Sequence, residues 1–379
     1  MFSSFFIAGF ECTTGFNRHG QWIDQIAATR HDVQIDEDYR LLRKAGIRAA
    51  REGIRWPLVQ KRFYYDFTTV DIVLKAARRH NIELSYDLFH FGYPEGLNLF
   101  SSDFIGRFVD YCGTVALHIT RHSDGPYCFT PINEPSYFAW AAGEMGLFAP
   151  HVKGRGSELK IRLIEAAIRG SQAILDVCPE ARFLTVDPIC RVVAPDDSPE
   201  EVRAAESFNN EVVFQSWDML AGRVRPELGG STELLDIVGV NYYWTNQWVL
   251  NRPETPLEEE DPRYCSLGRL IRSVADRYPG NEIIITETSH AGARRSGWLN
   301  RVADEAEFLL NSNIPLRGIC IYPILGMPEW HEPDVWTRMG LWDLIRMNGC
   351  LERVCCRPML AALRNAQRRL EKLHEIGRS

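Results

Sequence analysis

Short runs of apolar, β-branched and aromatic residues recur along the chain, separated by longer stretches whose apolar positions return every three or four residues. Runs of the first kind suit strands buried on both faces, and stretches of the second kind suit amphipathic helices. Eight strands are predicted, at 5–10, 47–54, 82–88, 127–131, 181–186, 237–243, 282–286 and 318–322. Helices fall between them: IDEDYRLLRKAG, TTVDIVLKAARRHN, SDFIGRFVDYCGTVALHIT, SELKIRLIEAAIRGSQAILDV, SPEEVRAAESFNNEVVFQSW, SLGRLIRSVADRY, WLNRVADEAEFLLNS and a basic RPMLAALRNAQRRLEKLHEI. Several begin at a Ser, Thr or Asp suited to an N-cap, and Gly46 stands where the first should end. Regular alternation of strand and helix is the mark of βα units on a parallel sheet, and eight such units close a barrel. The expected fold is therefore α/β, a single (β/α)8 TIM barrel over 1–379. The charged stretch RPETPLEEEDPR at 252–263 lies inside the sixth unit and reads as an inserted loop. The apolar N-terminus MFSSFFIAGF lacks a basic leader region and is too short to span a bilayer, so it reads as the first strand.

Composition narrows the partners. The 379 residues are 45% hydrophobic, with 10 Trp, 13 Tyr and 19 Phe, enough for a large core and for aromatics lining a pocket. Net charge is −7 with no basic run, which argues against a nucleic-acid or anionic-membrane partner. Ten cysteines are scattered without a CxxC pair or His at metal-ligand spacing, so no metal is expected and a reduced, cytoplasmic setting is the simpler reading. The grouping of Cys350, Cys355 and Cys356 finds no explanation in the sequence.

In a barrel of this kind the reacting groups stand at the C-terminal ends of the strands. Glu134 follows the fourth predicted strand in FTPINEP, and Glu287 ends the seventh in IIITETS. Either alone has a bland reading, as a solvated residue or a partner of a helix start. On strands four and seven they face one another across the barrel mouth, and a carboxyl pair is what glycosidic cleavage requires: one group protonates the leaving oxygen and the other attacks, or activates water against, the anomeric carbon. Asn133 beside the first could bond a sugar hydroxyl, or could simply form the turn before Glu-Pro.

These motifs resemble those of the family 1 glycoside hydrolases, the β-glucosidase family among the retaining TIM-barrel glycosidases. TPINEP is similar to the family's TFNEP acid/base motif and IIITETS to its ITENG nucleophile motif. HDVQIDEDYRLLRKAGIRAAREGIRWPLV is similar to the segment leading to a strand with an arginine and a terminal tryptophan, here Arg51 and Trp56. LFHFGYPEGL is similar to the loop after strand three, implying His90 on glycone hydroxyls. DIVGVNYYW is similar to DFIGINYY, implying Tyr243 on the nucleophile, Asn241 facing the sugar, and Tyr242 in the core. YPILGMPEW is similar to WSLLDNFEW and implies Tyr322, Glu329 and Trp330 at the glycone; the acid at Glu329 favours an unphosphorylated sugar.

The chain departs from the family's Gln-x-Glu-Gly after strand one, where Glu11 or Asn17 stands in for the glutamine, and rim loops are shorter. The resemblance implies an exo-acting, retaining β-glycosidase without cofactor, with Glu134 as acid/base, Glu287 as nucleophile and a small β-glycoside or oligosaccharide as substrate. An endo-acting glycanase or transglycosidase of the same clan, or a non-catalytic carbohydrate-binding barrel, are the alternatives.

Overall fold

A computed structural model describes residues 2–347 and 349–376. Eight strands, Phe6–Gly9, Ala49–Gly53, Glu83–Asp87, Cys128–Thr130, Arg182–Pro188, Ile237–Asn241, Glu282–Thr288 and Leu316–Ile321, close into one barrel. Every neighbouring pair is parallel, and the first strand pairs with both the second and the eighth. These are the eight predicted strands, shifted by a few residues at their ends, and the fold is a (β/α)8 TIM barrel.

Alternation along the strands divides the interior in two. Ile7, Ala49, Cys128, Leu184, Val186, Ile237, Ile284, Cys320 and Tyr322 point inward and pack with Phe2 as the barrel's own core. The other face of each strand packs against the helices in a larger apolar layer. On the second strand Arg51 points into the barrel while its neighbour Glu52 points out, to His31 Nε2 at 3.0 Å and the Tyr39 hydroxyl at 2.6 Å on helix His31–Lys44. One residue of period thus separates a residue facing the lumen from one bound to the helix layer.

The main helices follow the predicted order: His31–Lys44, Thr68–His80, Ser102–His122, Gly156–Val177, Leu267–Arg277, Arg295–Asn311 and Arg357–Ile376. Gly46 takes φ +81 just past the first of them, a left-handed conformation that only glycine enters without cost. The fifth unit differs from expectation. Its helix breaks into Pro199–Ser207 and Gln215–Leu220 around a widened turn at Phe208–Val212. The reading of 252–263 as a loop is also corrected: Arg252–Pro256 forms a strand, paired antiparallel with Gln247–Val249, which in turn pairs with Arg191–Val193. Pro, Glu and Thr hid that strand, because both faces of it are exposed and no apolar alternation is needed.

All ten cysteines are free. Cys350 and Cys355 sit at opposite ends of one strand of the hairpin Trp342–Met347 and Cys350–Cys355. Among the described residues no helix is long and apolar enough to cross a membrane.

Candidate active site

Arg51 organises the barrel's C-terminal mouth. Its guanidinium, 1% exposed, donates to Asp87 on the third strand, Asn133 after the fourth, and the Thr286 carbonyl and Glu287 on the seventh. The bonds are 2.7 Å to Glu287 Oε1, 2.6 Å to Asn133 Oδ1 and 2.8 Å from Nη2 to Asp87 Oδ2. A guanidinium with five N–H donors in a rigid fork can hold four groups from three strands at once, which an ammonium cannot. Glu287 completes its coordination through Oε2, which accepts from the Tyr243 hydroxyl at 2.9 Å.

Glu287 can reach this position because the seventh strand is irregular. Its register against the sixth strand shifts between Ile285 and Glu287, and against the eighth between Ile285 and Thr288. Thr286 donates its hydroxyl to Asn241 Oδ1 at 2.6 Å, while Glu287 also faces the lumen. Two consecutive residues on one face break the strand's period of two, and such irregularities re-aim side chains at sites.

Glu134 is held differently. Its backbone has φ 45 and ψ 58, left-handed for a residue with a side chain, which costs on the order of 1–3 kcal/mol and persists only where its surroundings fix it. Its N–H donates to the Val186 carbonyl at 3.0 Å and its carbonyl accepts from Phe138 N–H at 2.9 Å. Its side chain, with the residue 8% exposed, accepts from Asn241 Nδ2 at 2.8 Å, and among the described residues it meets no cation at hydrogen-bond distance.

These environments separate the two carboxyls. Burial first, then the charge of Glu287, with a smaller contribution from Asp187, push Glu134 up to about 8 against the Asn241 bond. Burial also raises Glu287, but there the charge and hydrogen bond of Arg51 oppose it, aided by His90. Of the two, Glu134 is the one whose surroundings favour the protonated form, because Arg51 bonds Glu287 and not Glu134. Asp87, despite burial, is held below the ordinary carboxylate value by Arg51 and His90.

His90 donates from Nδ1 toward Asp87 Oδ2 at 3.2 Å and presents Nε2 toward the mouth, 3.4 Å from the Tyr322 hydroxyl and from Asn133 Nδ2, and 3.9 Å from Glu11 Oε1. Burial disfavours its charged form, yet Cys12, Asp87 and Glu11 hold it well above the usual imidazole value. Its ring lies parallel to Tyr322, whose own ring occupies the space where a side chain at Gly9 would stand. Glu11 is 5% exposed and accepts from Thr13 N–H at 2.9 Å.

Of the two candidates for the missing glutamine, Asn17 is committed elsewhere: its amide donates to Gln21 and the Trp330 carbonyl, and its oxygen accepts from His19 and Gln21 N–H. Glu11 is the one beside His90. Trp330 is half-buried among Phe91, Tyr137 and Phe148, and its indole N–H is buried with no hydrogen-bond partner among the described residues. Glu329 next to it is exposed and joined to the rest by backbone, its N–H donating to Val335.

Five residues of this assembly were not picked out in the sequence: Cys12, Asp87, Tyr137, Asp187 and Thr286. Asp87 and Asp187 end the third and fifth barrel strands, the same signal that pointed to Glu287. Cys12, Asp87 and His90 place ligand-type atoms within 4.8 Å of one another. The set does not suit a metal, because Asp87 already binds Arg51 and His90, and the guanidinium beside it repels a cation.

No protein-family model matches the chain. β-Glucosidase A of Thermotoga maritima is 20% identical over 381 residues, covering 85% of this chain and 83% of its own. The AHE enzyme of Alicyclobacillus herbarius superposes with a TM-score of 0.77 at 18% identity, over 96% of this chain and 97% of its own. The family 1 β-glucosidase of Thermotoga maritima gives a TM-score of 0.76 at 15% identity, over 97% and 98%. The chain thus resembles the family 1 β-glucosidases along nearly all its length, as a divergent relative, and shares their fold.

Proposed function

We propose that the protein is a retaining β-glycosidase, exo-acting and β-glucosidase-like, working by double displacement. The observation that carries this reading is the unlike setting of two facing glutamates: Glu287 is bound to a buried arginine and a tyrosine hydroxyl, and Glu134 is buried without a cation. A glycosidase needs one carboxylate and one carboxylic acid at the same pH, and these are the settings that produce them. Similarity to β-glucosidases, one of them solved with isofagomine lactam and with glucoimidazole, supports a sugar as ligand.

In the first step Glu287 attacks the anomeric carbon and Glu134 gives its proton to the leaving oxygen, leaving a glycosyl ester on Glu287. In the second, Glu134 takes a proton from water, whose oxygen attacks the same carbon and frees Glu287. Arg51 and Tyr243 keep Glu287 ionised and aimed. His90, Asn133, Asn241, Tyr322 and Trp330 bind the glycone, with Glu11 on its wall and Glu329 at the rim. Around that wall the charges of Glu11, Asp87 and Glu287 outnumber those of Arg51 and His90, which favours an uncharged, unphosphorylated glycone. The chemistry needs no cofactor.

The test uses aryl β-glucosides, galactosides, fucosides and mannosides. Glu287→Gly is expected to lose hydrolysis and, with azide, to release a glycosyl azide of inverted configuration; Glu134→Ala is expected to lose least on good leaving groups. Full hydrolytic activity in Glu287→Gly overturns the assignment.

A further inference from the structure

We propose that Asp187 is a positioning residue for Glu134, fixing where its carboxyl stands and setting a buried negative charge behind it; this rests on the reading of Glu134 as acid/base. Asp187 is 1% exposed at the C-terminal end of the fifth barrel strand. Its Oδ1 accepts from the Ser136 N–H at 3.1 Å, and its Oδ2 accepts from the Ser136 hydroxyl. Ser136 Oγ also lies 2.8 Å from Ser216 Oγ on helix Gln215–Leu220.

Glu134 is thereby pinned on both sides by adjacent residues of one strand. Its own N–H binds the Val186 carbonyl, and the chain two residues later binds the Asp187 side chain. Between those anchors Glu134 sits in the left-handed region, a conformation that relaxes unless its ends are held. The strained residue, its proton and its anchor form one device.

The same carboxylate acts on Glu134 through charge. Asp187 and Glu287 both raise the Glu134 carboxyl, while His90 and the Asn241 hydrogen bond lower it. Asp187 itself is raised by burial and opposed by Lys160, Ser136 and Ser216; Lys160, from helix Gly156–Val177, donates to the Val212 carbonyl at 3.4 Å.

Two variants separate the roles. Asp187→Asn keeps an acceptor for the Ser136 N–H and removes the charge; Asp187→Ala removes both. The direct measurement is the titration of Glu134 in protein labelled with 13C at the glutamate carboxyl, its signal assigned by loss in Glu134→Gln. Asp187→Asn is expected to lower the Glu134 midpoint by roughly half a unit to one unit, as loss of a like charge requires. In turnover, Asp187→Ala is expected to reduce kcat roughly 10- to 100-fold on poor leaving groups and far less on good ones, with KM little changed. An unchanged Glu134 titration in Asp187→Asn overturns the charge role, and equal losses on good and poor leaving groups in Asp187→Ala overturn the positioning role. The titration needs no substrate, so a wild type without glycosidase activity would refute the proposed function and still leave the coupling of Asp187 to Glu134 decided.

Discussion

Replacing Arg51 by Met tests the organisation of the site without a substrate. The change keeps most of the side-chain volume and removes the charge, leaving Asp87 and Glu287 buried, with side chains 1% and 5% exposed. At 2.8 and 2.7 Å, and with an effective dielectric of about 20, each ion pair has a gross attraction of about 6 kcal/mol, much of it offset by desolvation. Removing one member of a buried pair costs about 3–5 kcal/mol. At about 2.1 cal/mol/K per residue, 379 residues unfold with an entropy of about 0.8 kcal/mol/K, so Tm falls by about 4–6 °C. The deficit has a sign in pH. In the wild type the depressed Asp87 contributes stability above its unfolded value near about 3.9, lost as pH falls through the folded value. In Arg51→Met both carboxyls rise, the folded protein binds protons that the unfolded chain releases, and stability falls as pH increases above about 4. Melting curves from pH 4.5 to 8 are expected to show the largest deficit at pH 8 and a small one at pH 4.5. A variant melting within about 1 °C of wild type at pH 8, or equally destabilised at both ends, would refute the ion-pair account.

With Glu134 pushed up to about 8, kcat/KM on substrates with poor leaving groups is expected to fall above that pH, about tenfold per unit, because only the protonated acid can donate; an alkaline limb near pH 5 contradicts the assignment. A methyl group at Gly9 would lie 2.0 Å from Tyr322 Cδ2, so Gly9→Ala is expected to displace the ring from His90 and cost about 1–3 kcal/mol, whereas Gly106→Ala, in helix Ser102–His122 with nothing within 4 Å, is expected to stabilise by about 0.5–1 kcal/mol. Thermal unfolding of both variants checks the pair, and equal Tm changes would show that the Tyr322 contact is not what Gly9 protects.

Much of the candidate site was legible because strand ends announce themselves. A carboxylate closing an apolar run marks Glu287, and Asn133-Glu134 follow another; the family-like blocks around Arg51, His90, Asn241 and Tyr243 lie in the order of the strands. The structure joins these residues, through Asp87 and Thr286, into one network of hydrogen bonds. Asp87 and Asp187 carried the same strand-end signal and went unread, since one sequence does not rank one acidic strand end above another. Glu11 and Asn17 could not be told apart until the path of the chain showed Asn17 spent on Gln21 and Trp330.

What the sequence determined by itself is local: the period of each segment, the number of βα units, and the polar groups that fall at strand ends. Those follow from burial and backbone geometry within ten or twenty residues. Only the tertiary structure decided the rest. Closure of the barrel set residues 87, 133 and 287 around the Arg51 guanidinium, a slip in register turned Glu287 inward beside Thr286, and a left-handed residue held by the fifth strand placed Glu134. Each depends on contacts between residues far apart in the chain, whose geometry no local pattern encodes.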